Sequence, residues 1–168
     1  MPGLSRRSFV LLASALLLSG CSVAMAPAPA PATTPGQLSQ SAIVSAINSV
    51  RAQNGRPPLL YNSKLEAAAR SQANLMARKD MLSHNLGVTL RQRVSDAGYE
   101  GAVGENVAGG QKTLAQAIQG WLDSPAHRNT LLSTRFTEFG LAAGTVPGKS
   151  RYGTYWAMIA GGPFEAWR

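Results

Sequence analysis

This chain has almost none of the residue through which small exported domains are usually stapled: its only cysteine is Cys21. An intramolecular disulfide is therefore excluded, and any folded domain must be held by its own core. Acidic residues are scarce as well, 8 against 16 lysines and arginines, for a net charge of +8. That excess favours anionic surfaces: lipid headgroups, acidic wall polymers or nucleic acid. The basic residues are scattered, with no Arg/Lys run and no interleaved aromatic ladder, which argues against nucleic acid. Histidine is limited to His84 and His127, so any imidazole chemistry must pass through those two. Past the first segment there is no apolar run long enough to span a bilayer, and no internal repeat.

The first twenty residues follow the plan of a secretory signal. Arg6 and Arg7 supply its positive end, and Phe9 to Leu18 an apolar stretch too short for a transmembrane helix. Leu18-Ser19-Gly20-Cys21 then resembles a bacterial lipobox, in which the cysteine is acylated and becomes the mature N-terminus. Acyl chains contribute about 0.8 kcal/mol per buried methylene, so two or three together anchor firmly. Ser5-Arg6-Arg7-Ser8-Phe9-Val10-Leu11 also resembles a twin-arginine export motif, with an ordinary secretory signal as the alternative. The alternating prolines of residues 24–35 favour extended polyproline II. The expected organisation is a signal peptide over 1–20, an Ala/Pro-rich linker over 21–38, and one domain over 39–168. The expected location is the cell envelope, lipid-anchored through Cys21. In a cell with two membranes that means the outer membrane or the periplasmic side.

Within the domain, helices come first and strands last. Ile43, Ile47 and Val50 recur at helical spacing, and Gly55 with Pro57 and Pro58 ends the run. Ser63 and Glu66 form a capping-box pattern for a second helix whose face carries Leu65, Ala69, Gln72 and Met76, expected to run to about Leu82. A third, short helix follows Thr89 with Leu90, Val94 and Ala97, and stops at Gly98. Thr113 and Gln116 cap a fourth, whose apolar face is Leu114, Ile118, Trp121 and Leu122 and which Pro125 ends. Phe139 to Val146 and Tyr152 to Ala160, with Pro147-Gly148 between them, predict an antiparallel hairpin, and Val103 to Val107 a further strand. The class is α+β, with helices packed on a small antiparallel sheet.

The residues with chemistry are few. His84 follows the second helix, Glu105 sits in Gly104-Glu105-Asn106, and His127 sits in Trp121-Leu122-Asp123-Ser124-Pro125-Ala126-His127-Arg128-Asn129-Thr130-Leu131. In this order and spacing, and followed by Phe136-Thr137-Glu138-Phe139-Gly140-Leu141 and Tyr155-Trp156, they resemble the bacterial branch of the CAP (SCP/PR-1-like) superfamily. The resemblance implies an α-β-α sandwich and a cleft of two histidines and two acids. His84, Glu105 and His127 take three of those places. Ser124 stands where many members have the second acid. Asp123 is adjacent, but one helical step turns it about 100° away.

Two imidazoles and a carboxylate can make an open zinc site, with His84 and His127 as metal ligands. They can equally hydrogen-bond each other and tie loops to the sheet. Ser124 and His127, three apart, raise a Ser-His-acid triad with Glu105, although Ser124 before Pro125 suits a helix cap. Two functions stay open. One is a monomeric binding module of the envelope, its ligand a lipid, wall polymer or protein. The other is a metal-assisted or His/Glu-dependent hydrolase of envelope polymers or peptides, with Glu105, His127 and His84 as its catalytic groups. The missing second acid favours binding.

Overall fold

The computed structural model describes residues 33–168. The leader, Cys21 and the first part of the proline-rich segment lie outside the described residues. Described residues ahead of the first helix already touch the domain: Thr33 accepts a backbone hydrogen bond from Leu114, and Leu38 packs on the core.

Among the described residues, five α-helices surround one sheet. They are α1 (Gln40–Gln53), α2 (Ser63–Lys79), α3 (Leu90–Asp96), α4 (Leu114–Asp123) and α5 (Pro125–Leu132). The strands are β1 (Leu60–Tyr61), β2 (Ala102–Gly109), β3 (Glu138–Thr145) and β4 (Thr154–Gly162), in the order β1-β3-β4-β2. The expected hairpin is β3–β4, and β2 lies antiparallel on its far side. The two-residue strand β1 was not foreseen; it pairs parallel with β3 at the other edge.

The α-β-α layering follows from alternation along the strands. Phe139, Leu141, Trp156, Met158 and Ala160 face α1, α4 and α5. Ala142, Tyr155, Ala157, Ile159 and Val107 face α2 and α3. On that second face small residues let the helix come close: a Cβ at Gly140 would lie 2.0 Å from the backbone nitrogen of Glu66, and one at Gly144 2.6 Å from the carbonyl of Ala73. Ala69 and Ala73 answer from α2, both fully buried.

Helix ends account for most differences from expectation. The cap of α2 is Asn62, not Ser63: the Asn62 side chain accepts from Lys64 and Leu65 backbone N–H groups, and Ser63 is already helical. The helix ends at Lys79, short of Leu82, because Asp80 adopts the left-handed conformation (φ 47°) and its carboxylate is taken up by the β3–β4 hairpin. Asp80 accepts from the Ser150 hydroxyl, the Arg151 backbone N–H and the Tyr155 hydroxyl. The Thr113–Gln116 capping box of α4 is present as expected, and α3 follows Thr89 as expected, with the Thr89 side chain capping it by accepting from the Gln92 backbone N–H. Pro125 both ends α4 and opens α5.

Candidate functional site: two histidines over a sheet edge

The site is organised by two neighbouring residues of β2. Successive strand side chains point to opposite faces, so Glu105 reaches toward the α2/α3 layer and Asn106 toward the α4/α5 layer. Glu105 accepts from His84: Nδ1 lies 2.9 Å from Oε2. Asn106 donates through Nδ2 to the His127 carbonyl at 2.9 Å. Because β2 is an edge strand, the segments that carry the two histidines can meet across that edge. The imidazole centroids stand 6.0 Å apart with the planes tilted by 34°. Gly104 completes the arrangement, since a Cβ there would stand 2.9 Å from Phe136 and 3.0 Å from Thr130 on α5.

The loop carrying His84 is held from beneath. Gln72, one of the expected face residues of α2, is fully buried and donates to the Ser83 carbonyl. Arg93 of α3 donates to the Val88 carbonyl at 2.6 Å and, through Nη2, to Glu105 Oε1 at 2.6 Å. Arg93 and Glu105 are almost entirely buried, whereas the His84 side chain is 55% exposed. Glu105 is thus a sunken carboxylate with one oxygen on a buried guanidinium and the other on an open imidazole.

This environment separates the two histidines electrostatically. The hydrogen bond that His84 donates to Glu105 is the largest influence on His84 and pushes its pKa above the ordinary 6.5. Burial, and then the proximity of His84, push His127 below it. His84 with Nδ1 on the carboxylate keeps Nε2 as an outward donor when charged, while a neutral His127 retains one acceptor nitrogen.

Of the residues expected in the cleft, His84, Glu105 and His127 come together. Ser124 does not join them as a nucleophile. It stands at the N-terminus of α5 without a side-chain capping bond, and Glu105 orients His84 rather than His127, so no Ser-His-acid relay is assembled. Asp123 is exposed and accepts from Gln119 on its own helix. Nor does Glu105 complete a three-ligand zinc site. Both its oxygens are engaged, a buried cation stands beside it, and among the described residues no group of three or more His, Cys, Asp or Glu side chains could hold a metal ion. The donors left are the two imidazoles, one fewer than the three protein ligands of an open zinc site.

Arg93 was missed by reading the sequence, although a signal existed. It follows Leu90 by three and precedes Val94 and Ala97, placing a cation on the inward stripe of a short helix. A buried guanidinium requires a partner, and the chain offers few acids.

Helices on both faces of a four-stranded sheet, with two histidines from separate layers meeting over its edge strand, define this chain as an α-β-α domain of the CAP type. The CAP family, described as the cysteine-rich secretory protein family, matches residues 44–159, more than half of the sequence, and the chain belongs to it. In sequence it is 29% identical over 102 residues to the uncharacterized protein YkwD of Bacillus subtilis, a match covering 59% of this chain and 40% of that protein. Solved structures share the fold. An extracellular protein containing an SCP domain from Bacillus anthracis superposes with a TM-score of 0.65 at 24% identity, over 76% of this chain and 42% of that one. An outer surface protein of Borrelia burgdorferi gives 0.64 at 22% identity, over 73% and 91%. The chain thus spans about two fifths of the length of YkwD and of the Bacillus anthracis protein.

Proposed function

We propose that this chain is an exported, lipid-anchored binding module of the cell envelope, and that its His84/His127 pair recognises a ligand rather than cleaving one. The observation that carries this reading is the double engagement of Glu105 by Arg93 and His84. A general base must be free to take a proton from water or substrate. A carboxylate buried on a guanidinium, with its other oxygen on an imidazole, serves instead to orient that imidazole. With His84 charged and His127 neutral, what faces outward is a donor on His84 and an acceptor on His127, a pair suited to the hydroxyl or amide groups of a wall polymer or peptide. The envelope location rests on the secretory pattern of the leader and on relatives named as extracellular and outer surface proteins. The lone cysteine at the end of the leader's apolar stretch supports the anchor.

A second reading has its own support. The histidine pKa values are driven apart, which is the arrangement that assigns an acid and a base in a hydrolase. His84 would then donate and His127 accept. One experiment separates the two readings. The full-length chain and its His84→Ala and His127→Ala variants are incubated with envelope wall polymer, lipid and protein fractions, with and without chelator. Retention that both variants lose, with the fractions recovered intact, supports binding. Release of soluble fragments by the native chain, abolished in His127→Ala, overturns it in favour of hydrolysis.

A further inference from the structure

A cleft of about 790 Å³ that neither histidine lines lies between the C-terminal end of α1, the outer side of α5 and the C-terminal turn. Its walls carry Arg56, Arg128 and Arg135, the neutral polar Asn129, and the rings of Phe136 and Trp167; no Asp or Glu lines it. In a chain with twice as many bases as acids some arginine clustering is expected on an outer face. Three further observations set this cluster apart.

The first is that its charge is uncompensated. None of the three arginines forms an ion pair among the described residues. A fourth guanidinium lies behind the wall: Arg51 is fully buried and donates to the carbonyls of Pro57, Leu131 and Ser133, without a carboxylate. Burial, and then Arg56, push the Arg51 pKa below its ordinary value, so the cleft already carries mutual repulsion that an anion would relieve. The second is preorganisation. Arg135 lies over the Trp167 ring at 4.8 Å, and Arg128 is braced by donating Nε to the Leu122 carbonyl at 2.6 Å. Held guanidiniums lose less freedom when they fork onto an oxyanion. The third is the company they keep. Trp167 is 44% exposed and packs at 5.2 Å on buried Phe136, which offers a ring platform next to amide and hydroxyl groups.

We infer that this arginine cleft is a second binding site, distinct from the histidine pair, for an acidic saccharide of the envelope: a sugar chain bearing carboxylates or phosphates. Guanidiniums fork onto the oxyanions, the neutral polar groups meet sugar hydroxyls, and the indole borders a sugar face. A flat anionic membrane fits less well, because the charges line a recess rather than a protruding surface. The size of the cleft falls within the range of ligand pockets and accommodates a short stretch of polymer.

The test titrates the full-length chain with tetragalacturonate, with neutral maltotetraose, with a phosphorylated maltotetraose, and with phosphatidylglycerol vesicles against the same lipid-free buffer. The proposal expects a salt-sensitive Kd for at least one of the two acidic oligomers and none measurable for maltotetraose. The carboxylate and phosphate arms tell which anion is preferred. Arg56→Glu with Arg135→Glu should weaken binding at least about tenfold, and Trp167→Ala should weaken it several-fold at unchanged salt dependence. Both arginines are exposed, so these variants should keep the native thermal transition. His84→Ala should leave the Kd unchanged, which separates this site from the histidine pair. The inference is overturned if neither acidic oligomer binds, if binding survives the double reversal, or if only vesicles bind and the oligomers do not compete.

Discussion

Arg93 and Glu105 meet at 2.6 Å with both side chains all but excluded from water, and the His84 imidazole rests on the remaining carboxylate oxygen. A buried charge pair is expensive to break because the survivor is left uncompensated. Arg93→Ala and Glu105→Ala should each destabilise the domain by about 3–5 kcal/mol, read from urea unfolding. The double variant Arg93→Met, Glu105→Leu should lose less than either single change. Singles that lose no more than an exposed substitution would show that the pair does not hold the loop.

The two histidines should titrate on opposite sides of 6.5. The stabilisation that His84 gains from Glu105 is fully present below that value and is lost as pH rises through its raised folded pKa. His127 works the other way. It is held neutral in the fold, so stability falls as pH drops from 6.5 toward its lowered folded pKa. Their combined effect is a stability maximum near 6.5. NMR titration of the imidazole carbons measures both values, and Glu105→Gln should bring His84 down. A His84 that titrates no higher than His127 would contradict the hydrogen bond to Glu105.

Two imidazoles without a third donor make a weak zinc site. We expect chelator to leave the cooperative thermal transition unmoved, and zinc binding, if measured calorimetrically, to disappear in either His84→Ala or His127→Ala. A transition abolished by chelator would require a structural metal.

At the start of α2, Asn62→Ala should cost about 1 kcal/mol as a lost cap, whereas Ser63→Ala should stay within about 0.5 kcal/mol. Thermal unfolding of the two variants decides which residue is the cap. Further along the same interface, Gly140→Ala drives a methyl into the α2 backbone and should destabilise by about 1–3 kcal/mol or more.

The proposed anchoring and export rest on residues outside the described ones. Cys21→Ala should move the protein from the detergent phase to the aqueous phase, and unchanged partitioning would reject lipidation. Arg6→Lys with Arg7→Lys should leave the precursor unprocessed; normal processing would assign the general secretory route.

Much of this domain was legible before its structure. Local signals placed α3, α4 and the β3–β4 hairpin, because caps, turn residues and periodicity act within a few positions. The α2 boundaries slipped for reasons that are not local. Asp80 leaves the helix to satisfy groups on the hairpin some seventy residues later, and the Ser63–Glu66 pattern competes with a better-placed Asn62. The Gly104-Glu105-Asn106 triplet marked the site, but not the division of labour within it.

By itself, the sequence determined that there is no intramolecular disulfide, that the domain carries excess positive charge, that helices precede an antiparallel pair, and that only His84 and His127 can supply imidazole chemistry. Those are matters of composition and short-range order. Tertiary structure alone decided which acid serves which base. A strand points alternate side chains to opposite faces, so Glu105 and Asn106, adjacent in sequence, were committed to different helical layers. The edge position of β2 then let those layers meet. No spacing along the chain encodes that a buried Arg93 would claim Glu105, because the pairing depends on which sheet face α3 covers.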